Sequence, residues 1–179
     1  MDHFGPIFVY HGTKKIKVWV LCIACLWSRA INLKVCYDLT VSEFLRTFQL
    51  HIFDYGLPES VFSDLGSQLA AGANIITDRL KDVETQVFFE ENNVQSPKFE
   101  QFFKGNKTLG SLVESCVKLT KKLLHRAIGK NVLHHLQFEL FVMQTINLVN
   151  KRPIAFRKGL KKITIVTLIF LFLLHLNYY

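Results

Sequence analysis

The segment Lys17 to Ala24 reads Lys-Val-Trp-Val-Leu-Cys-Ile-Ala, and an unbroken apolar run of this kind predicts a β-strand buried on both faces. Met1 to Tyr10 before it is also largely apolar, with Gly5-Pro6 inside, so it predicts a strand that proline confines to an edge or a bulge. His11-Gly12-Thr13-Lys14 is a turn between the two. After Cys25-Leu26-Trp27-Ser28, residues Arg29 to Cys36 alternate, with Ile31, Leu33 and Val35 on one face and Asn32 and Lys34 on the other. Three strands joined by short turns predict an antiparallel meander.

The period then changes. Val41, Phe44, Leu45, Phe48 and Ile52 recur at helical spacing, Thr40 and Glu43 form a capping-box pattern at the start, and Gly56 with Pro58 ends the helix. Glu59 to Phe62 predicts a short strand that delivers Asp64 at its end, and Ser67 to Leu80 predicts a helix. Asp82 to Asn92 reads as a further helix, Val94 to Phe99 as a short strand, and Gln101 to Leu109 as a basic loop carrying Lys104 and Lys107. The strongest amphipathic helix runs from Leu112 to Ile128, with Val113, Cys116, Val117, Thr120 and Leu124 on one side. A last helix spans about Asn131 to Asn150, and Lys151-Arg152-Pro153 stops it. A meander followed by parallel additions with helices between them is a mixed α/β layer fold.

The 179 residues suit one domain with a short appendage, and a chain that is 50% apolar excludes wholesale disorder. A formal net charge of +8 points to an anionic partner, nucleic acid first and an anionic membrane surface second. Cys22 and Cys25 form a CxxC, but an offset of three in a strand sends the side chains to opposite faces. No second CxxC or HxxxH completes a zinc site, so buried free thiols in a reducing compartment are expected. Residues Ile163 to Tyr179 are almost wholly apolar and follow Lys158, Lys161 and Lys162, a length at the lower edge of what spans a bilayer. A membrane anchor and an appendage unrelated to the core are both open readings.

Asp64 admits two roles. It is a favoured helix N-cap residue, and it also lies at a strand's carboxyl end, where α/β folds gather their chemistry. Asp2 inside the first strand and Glu114 in the strongest helix are candidate partners. Carboxylates converging from separate elements are what a two-metal phosphoryl-transfer site requires. Glu114 also has a plain role available, as a charge near a helix N-terminus. Lys118, Lys121 and Lys122 follow it at i+4, i+7 and i+8, a row suited either to DNA phosphates or to solvent.

Five ordered motifs carry a resemblance: "DHFGPI" (Asp2 to Ile7), "WSRAINLKV" (Trp27 to Val35), "FDYGLPESVFSDLGSQL" (Phe53 to Leu69), "LGSLVESCVK" (Leu109 to Lys118) and "NLVNKRPIAF" (Asn147 to Phe156). Together they resemble the integrase catalytic core of retrotransposons, most nearly the BEL/Pao type. The resemblance implies a ribonuclease H-like fold: a mixed five-stranded sheet, a three-strand antiparallel meander plus parallel strands, flanked by helices. It implies a DDE triad at Asp2, Asp64 and Glu114 that holds two Mg²⁺ or Mn²⁺ ions for 3′ processing and strand transfer of DNA. Lys118, Lys121, Lys122, Lys104 and Lys107 would contact DNA, a homo-oligomer is the expected assembly, and the nucleus is the expected compartment. The core is expected over residues 1–157, as an N-terminally truncated piece of a larger polyprotein, with 158–179 as an atypical tail. The alternative is a catalytically inactive transposon-derived remnant that only binds nucleic acid.

Overall fold

The structure, a computed structural model, describes residues 1–63, 67–81, 98–101, 107–157 and 164–167. The predicted meander forms: β1 (Asp2–His11), β2 (Lys14–Ala24) and β3 (Ile31–Cys36) make an antiparallel sheet in that order. The β1–β2 register runs from His11↔Lys14 to Asp2↔Cys22, with a bulge between Phe4 and Ile7, where proline interrupts the ladder. Glycine is required at the bulge. Gly5 has φ 144°, and a Cβ there would lie 2.8 Å from the Trp19 ring.

Beyond the meander come α1 (Val41–Tyr55), β4 (Ser60–Ser63), α2 (Ser67–Leu80), β5 (Lys98–Gln101), α3 (Lys107–Ile128), α4 (His135–Asn150), β6 (Pro153–Arg157) and β7 (Thr164–Thr167). Strand β5 pairs with β4 in parallel, as the pattern predicts for an added strand, and β6 pairs with β7 antiparallel. The expected single five-stranded sheet is not what the described residues form: they make one three-stranded and two two-stranded sheets. The first two meet where β1 begins, with the Met1 amino group donating to the Phe62 carbonyl at 2.5 Å, and this contact does not extend into a continuous ladder.

Two apolar clusters lie on the two faces of the meander, which is why β2 is apolar from Val18 to Ala24. Val18, Val20 and Cys22 face Val113, Cys116 and Val117 of α3 and Phe138 and Val142 of α4. Leu21 faces the other way, against Phe44 and Phe48 of α1, Val61 of β4 and Leu69 of α2. The helices bury one stripe each and close a sandwich around the sheet.

Local signals differ from expectation in three places. Thr40 caps α1 by accepting from the Glu43 N–H at 3.2 Å, but the reciprocal half of the box is absent. Glu43 instead accepts from the Tyr37 N–H and pairs with Arg46, while Asp38 takes the Thr40 N–H. Helix α3 starts at Lys107 rather than Leu112, so Gly110 lies inside it and Lys107 belongs to a helix rather than a loop. A single interior glycine costs only about 1 kcal/mol, which packing of the Val113, Cys116 and Val117 stripe overrides. Thr164–Thr167 is a strand, not part of a helical span, and among the described residues no helix is long and apolar enough to cross a membrane. The helix expected over Asp82 to Asn92 and the loop residue Lys104 lie outside the described residues.

Candidate functional site

Asp2 is the first residue of β1, half-buried, and opposite Cys22 in register. It shares a face with Phe4, because the bulge begins only after Phe4, and the buried Phe4 and Cys22 both belong to the cluster beneath α3. The face of β1 that carries Asp2 is therefore the one turned to α3. Burial pushes the Cys22 thiol up to about 12, with neighbouring Cys116 and Asp2 acting in the same direction.

Glu114 lies well inside α3, not in its first turn, because the helix begins at Lys107. A favourable interaction with the helix N-terminus is thereby excluded as its role, since that effect fades within the first turn. Its carboxylate is exposed and accepts from the Lys118 Nζ at 2.8 Å, which holds it below the usual carboxylate range. Glu114 flanks the buried stripe of Val113 and Val117 on the same side as Lys121, whose Nζ lies 5.6 Å from the centre of the Phe4 ring. The flank of α3 that bears Glu114 and Lys121 thus borders the beginning of β1. Lys122 is exposed further round the helix.

Asp64 lies outside the described residues. Its strand is placed, however: β4 ends at the buried Ser63, and the Met1–Phe62 hydrogen bond sets the residue before Asp2 beside the residue two before Asp64. Among the described residues no three His, Cys, Asp or Glu side chains are grouped to hold a metal ion. Two of the three predicted acids sit on packed elements, β1 and α3. Carboxylates are the donor type that hard divalent cations take, and Glu114 would have to exchange Lys118 for such an ion. Lys107 has its backbone placed in α3.

Sequence reasoning missed two residues at this end. Arg152 donates from Nη2 to the Arg29 carbonyl at 3.3 Å and lies 3.8 Å from the Cys116 Sγ; its Nη1 is buried with no partner among the described residues. It brings a cation to the end of the sheet where Asp2 lies, whereas Lys-Arg-Pro reads in sequence only as a helix stop. His3 points to the opposite face from Asp2, its Nδ1 buried without a described partner, and burial with the nearby N-terminal charge lowers it to about 4.

The α/β fold that the described residues form is similar to that of retroviral integrase catalytic cores, which is ribonuclease H-like. Two solved structures carry that likeness. A chain of the simian T-cell lymphotropic virus intasome in complex with PP2A regulatory subunit B56 gamma matches 96% of this chain at 14% identity, with a TM-score of 0.55. The catalytic core domain of BIV integrase matches 99% of this chain and 97% of its own length at 13% identity, with a TM-score of 0.54. The chain spans about half the length of the intasome chain, 52%. No family model matches the sequence, and no curated protein matches it.

Proposed function

We propose that residues 1–157 are the catalytic core of an integrase of a BEL/Pao-type retrotransposon, acting on DNA by 3′ processing and strand transfer, with 158–179 as an appendage. The observation that supports this most directly is the meeting of three elements: β1 carrying Asp2, β4 leading to Asp64, and α3 carrying Glu114 along the border of β1. Two bound Mg²⁺ or Mn²⁺ ions would supply activation of the attacking oxygen and stabilisation of the leaving 3′-oxygen. Asp2, Asp64 and Glu114 are the residues that would hold them. Lys118 keeps Glu114 ionised and neutralised until then, and once released it lies one helical turn along to meet a DNA phosphate. Lys121 and Lys122 extend the same basic surface, and Lys104 and Lys107 are the further candidates for DNA contact.

A second copy of the chain is the expected partner besides DNA. Leu136, Leu140 and Met143 of α4 form an exposed apolar row at i, i+4 and i+7, on a helix whose opposite side is already buried in the core. The engagement of Glu114 by Lys118 favours a second reading, a remnant that folds and binds nucleic acid without catalysis.

Strand transfer by the full chain separates the two. With Mn²⁺ and a short duplex bearing a recessed 3′ end, the first reading expects joined product that disappears in Asp64→Asn and Glu114→Gln. Absence of product from folded protein, or product that survives both substitutions, refutes it.

A further inference from the structure

The β1–β2 hairpin extends past the end of β3, whose last pair is Trp19↔Cys36. On this projecting ribbon one face packs on α3 and α4 through Val9, Ile16 and Val18. Among the described residues the opposite face is not covered. It carries Phe8 and Tyr10, exposed by 45% and 41%, with Lys17 directly across from Phe8 and Lys15 across from Tyr10. The Lys15 Nζ stands 4.8 Å from the centre of the Phe8 ring. Neither lysine forms an ion pair among the described residues, and the sequence contains no Asp or Glu between Asp2 and Asp38.

We propose that this hairpin face binds single-stranded nucleic acid, with Phe8 and Tyr10 stacking unpaired bases and Lys15 and Lys17 contacting the phosphates. The two rings are same-face neighbours on one strand, roughly 6.6 Å apart along it, which suits successive bases of an extended, unstacked strand. Each ring has a lysine across from it in register, so a stacked base brings its phosphate toward a cation. With neither lysine ion-paired among the described residues, the charge selects an anionic ligand; the exposed aromatic faces select one that displays flat rings. A duplex keeps its bases inside the helix and offers this face only phosphates. The site lies roughly 20 Å along β1 from Asp2, and it stands apart from the acids and from any metal they hold.

The test is fluorescence anisotropy of the full chain with a short labelled oligothymidine and with its duplex, in chelator and without divalent cations. Single strand should bind more tightly than duplex. Phe8→Leu with Tyr10→Leu keeps apolar bulk but removes both rings, and should weaken single-strand binding by roughly 30-fold or more while leaving duplex binding unchanged. Lys15→Gln and Lys17→Gln should each lower the salt slope by about 0.7. Single-strand binding is read in chelator and strand transfer with Mn²⁺, so loss of strand transfer and loss of this site are separately visible. Equal binding of single strand and duplex overturns the proposal. So does retained affinity in ring variants whose circular dichroism matches the parent, and so does ring-dependent binding to anionic lipid vesicles without preference for single strands.

Discussion

Asn150, the last residue of α4, bridges the helix to the edge of β3 as a neighbouring strand would. Its Oδ1 accepts from the Ile31 N–H at 2.8 Å and its Nδ2 donates to the Ile31 carbonyl at 2.9 Å, so one side-chain amide satisfies both outward groups of an edge residue. Asn150→Ala removes both bonds from a partly buried site. At a net value of about 0.5–1.5 kcal/mol per bond, the expected loss is about 1–3 kcal/mol. With a urea dependence of roughly 1–3 kcal/mol per molar, the unfolding midpoint should fall by about 1 M. The melting temperature should fall by about 4–8 °C for a loss of about 2 kcal/mol in a chain of this size. Asn150→Asp should cost at least as much near neutral pH. It keeps the acceptor but sets a carboxylate against the Ile31 carbonyl and against the negative end of α4. That folded state favours the protonated acid, so the Asn150→Asp deficit should shrink as pH falls through the carboxylate range, whereas the Asn150→Ala deficit should not. The measurement is paired urea melts of the three proteins at neutral and acid pH. A midpoint for Asn150→Ala indistinguishable from the parent would refute the bridge and leave α4 held by its apolar stripe alone.

Two further outcomes are expected. His3 and His51 are each lowered by burial from 6.5 to about 4, His51 further by the charge of Lys34. The unfolded chain therefore binds more protons between those values. Stability should be full above pH 6.5 and fall as pH drops toward 4, by about 1 kcal/mol per imidazole after allowance for solvent screening, and His3→Gln with His51→Gln should flatten that slope in pH-dependent melts. All four cysteines are free thiols; Cys22, Cys36 and Cys116 are buried, while Cys25 is exposed, and burial pushes Cys22 to about 12 and Cys36 to about 11. One thiol should react rapidly with Ellman's reagent in the native protein and four in urea; rapid reaction of more than one native thiol would contradict the packing around β2.

Hydrophobic period alone determined the meander, α1, α2, β4 and the amphipathic stripe of α3, because each is written in residues a few positions apart. The Thr40 cap and the interruption at Gly5-Pro6 were legible for the same reason: turn and cap chemistry is local. The row of lysines after Glu114 was legible too, but not what it does. Only the helix geometry commits Lys118 to Glu114 and carries Lys121 over Phe4.

The tertiary structure decided what depends on distant partners. Arg152 is a helix stop in sequence and a partly buried cation beside Cys116 in space. Asn32 alternates as a surface residue, yet it is buried and hydrogen-bonds His51 at 2.9 Å. The division into separate sheets follows from how β1 and β4 meet, which no local pattern encodes. The bulge is the clearest case: alternation would set Phe4 and Phe8 on one face, but the one extra residue resets the parity, so Phe4 and Val9 turn inward together and Phe8 and Tyr10 turn out. Periodicity states that a strand has two faces; only the register and the helices packed against it state which one water sees.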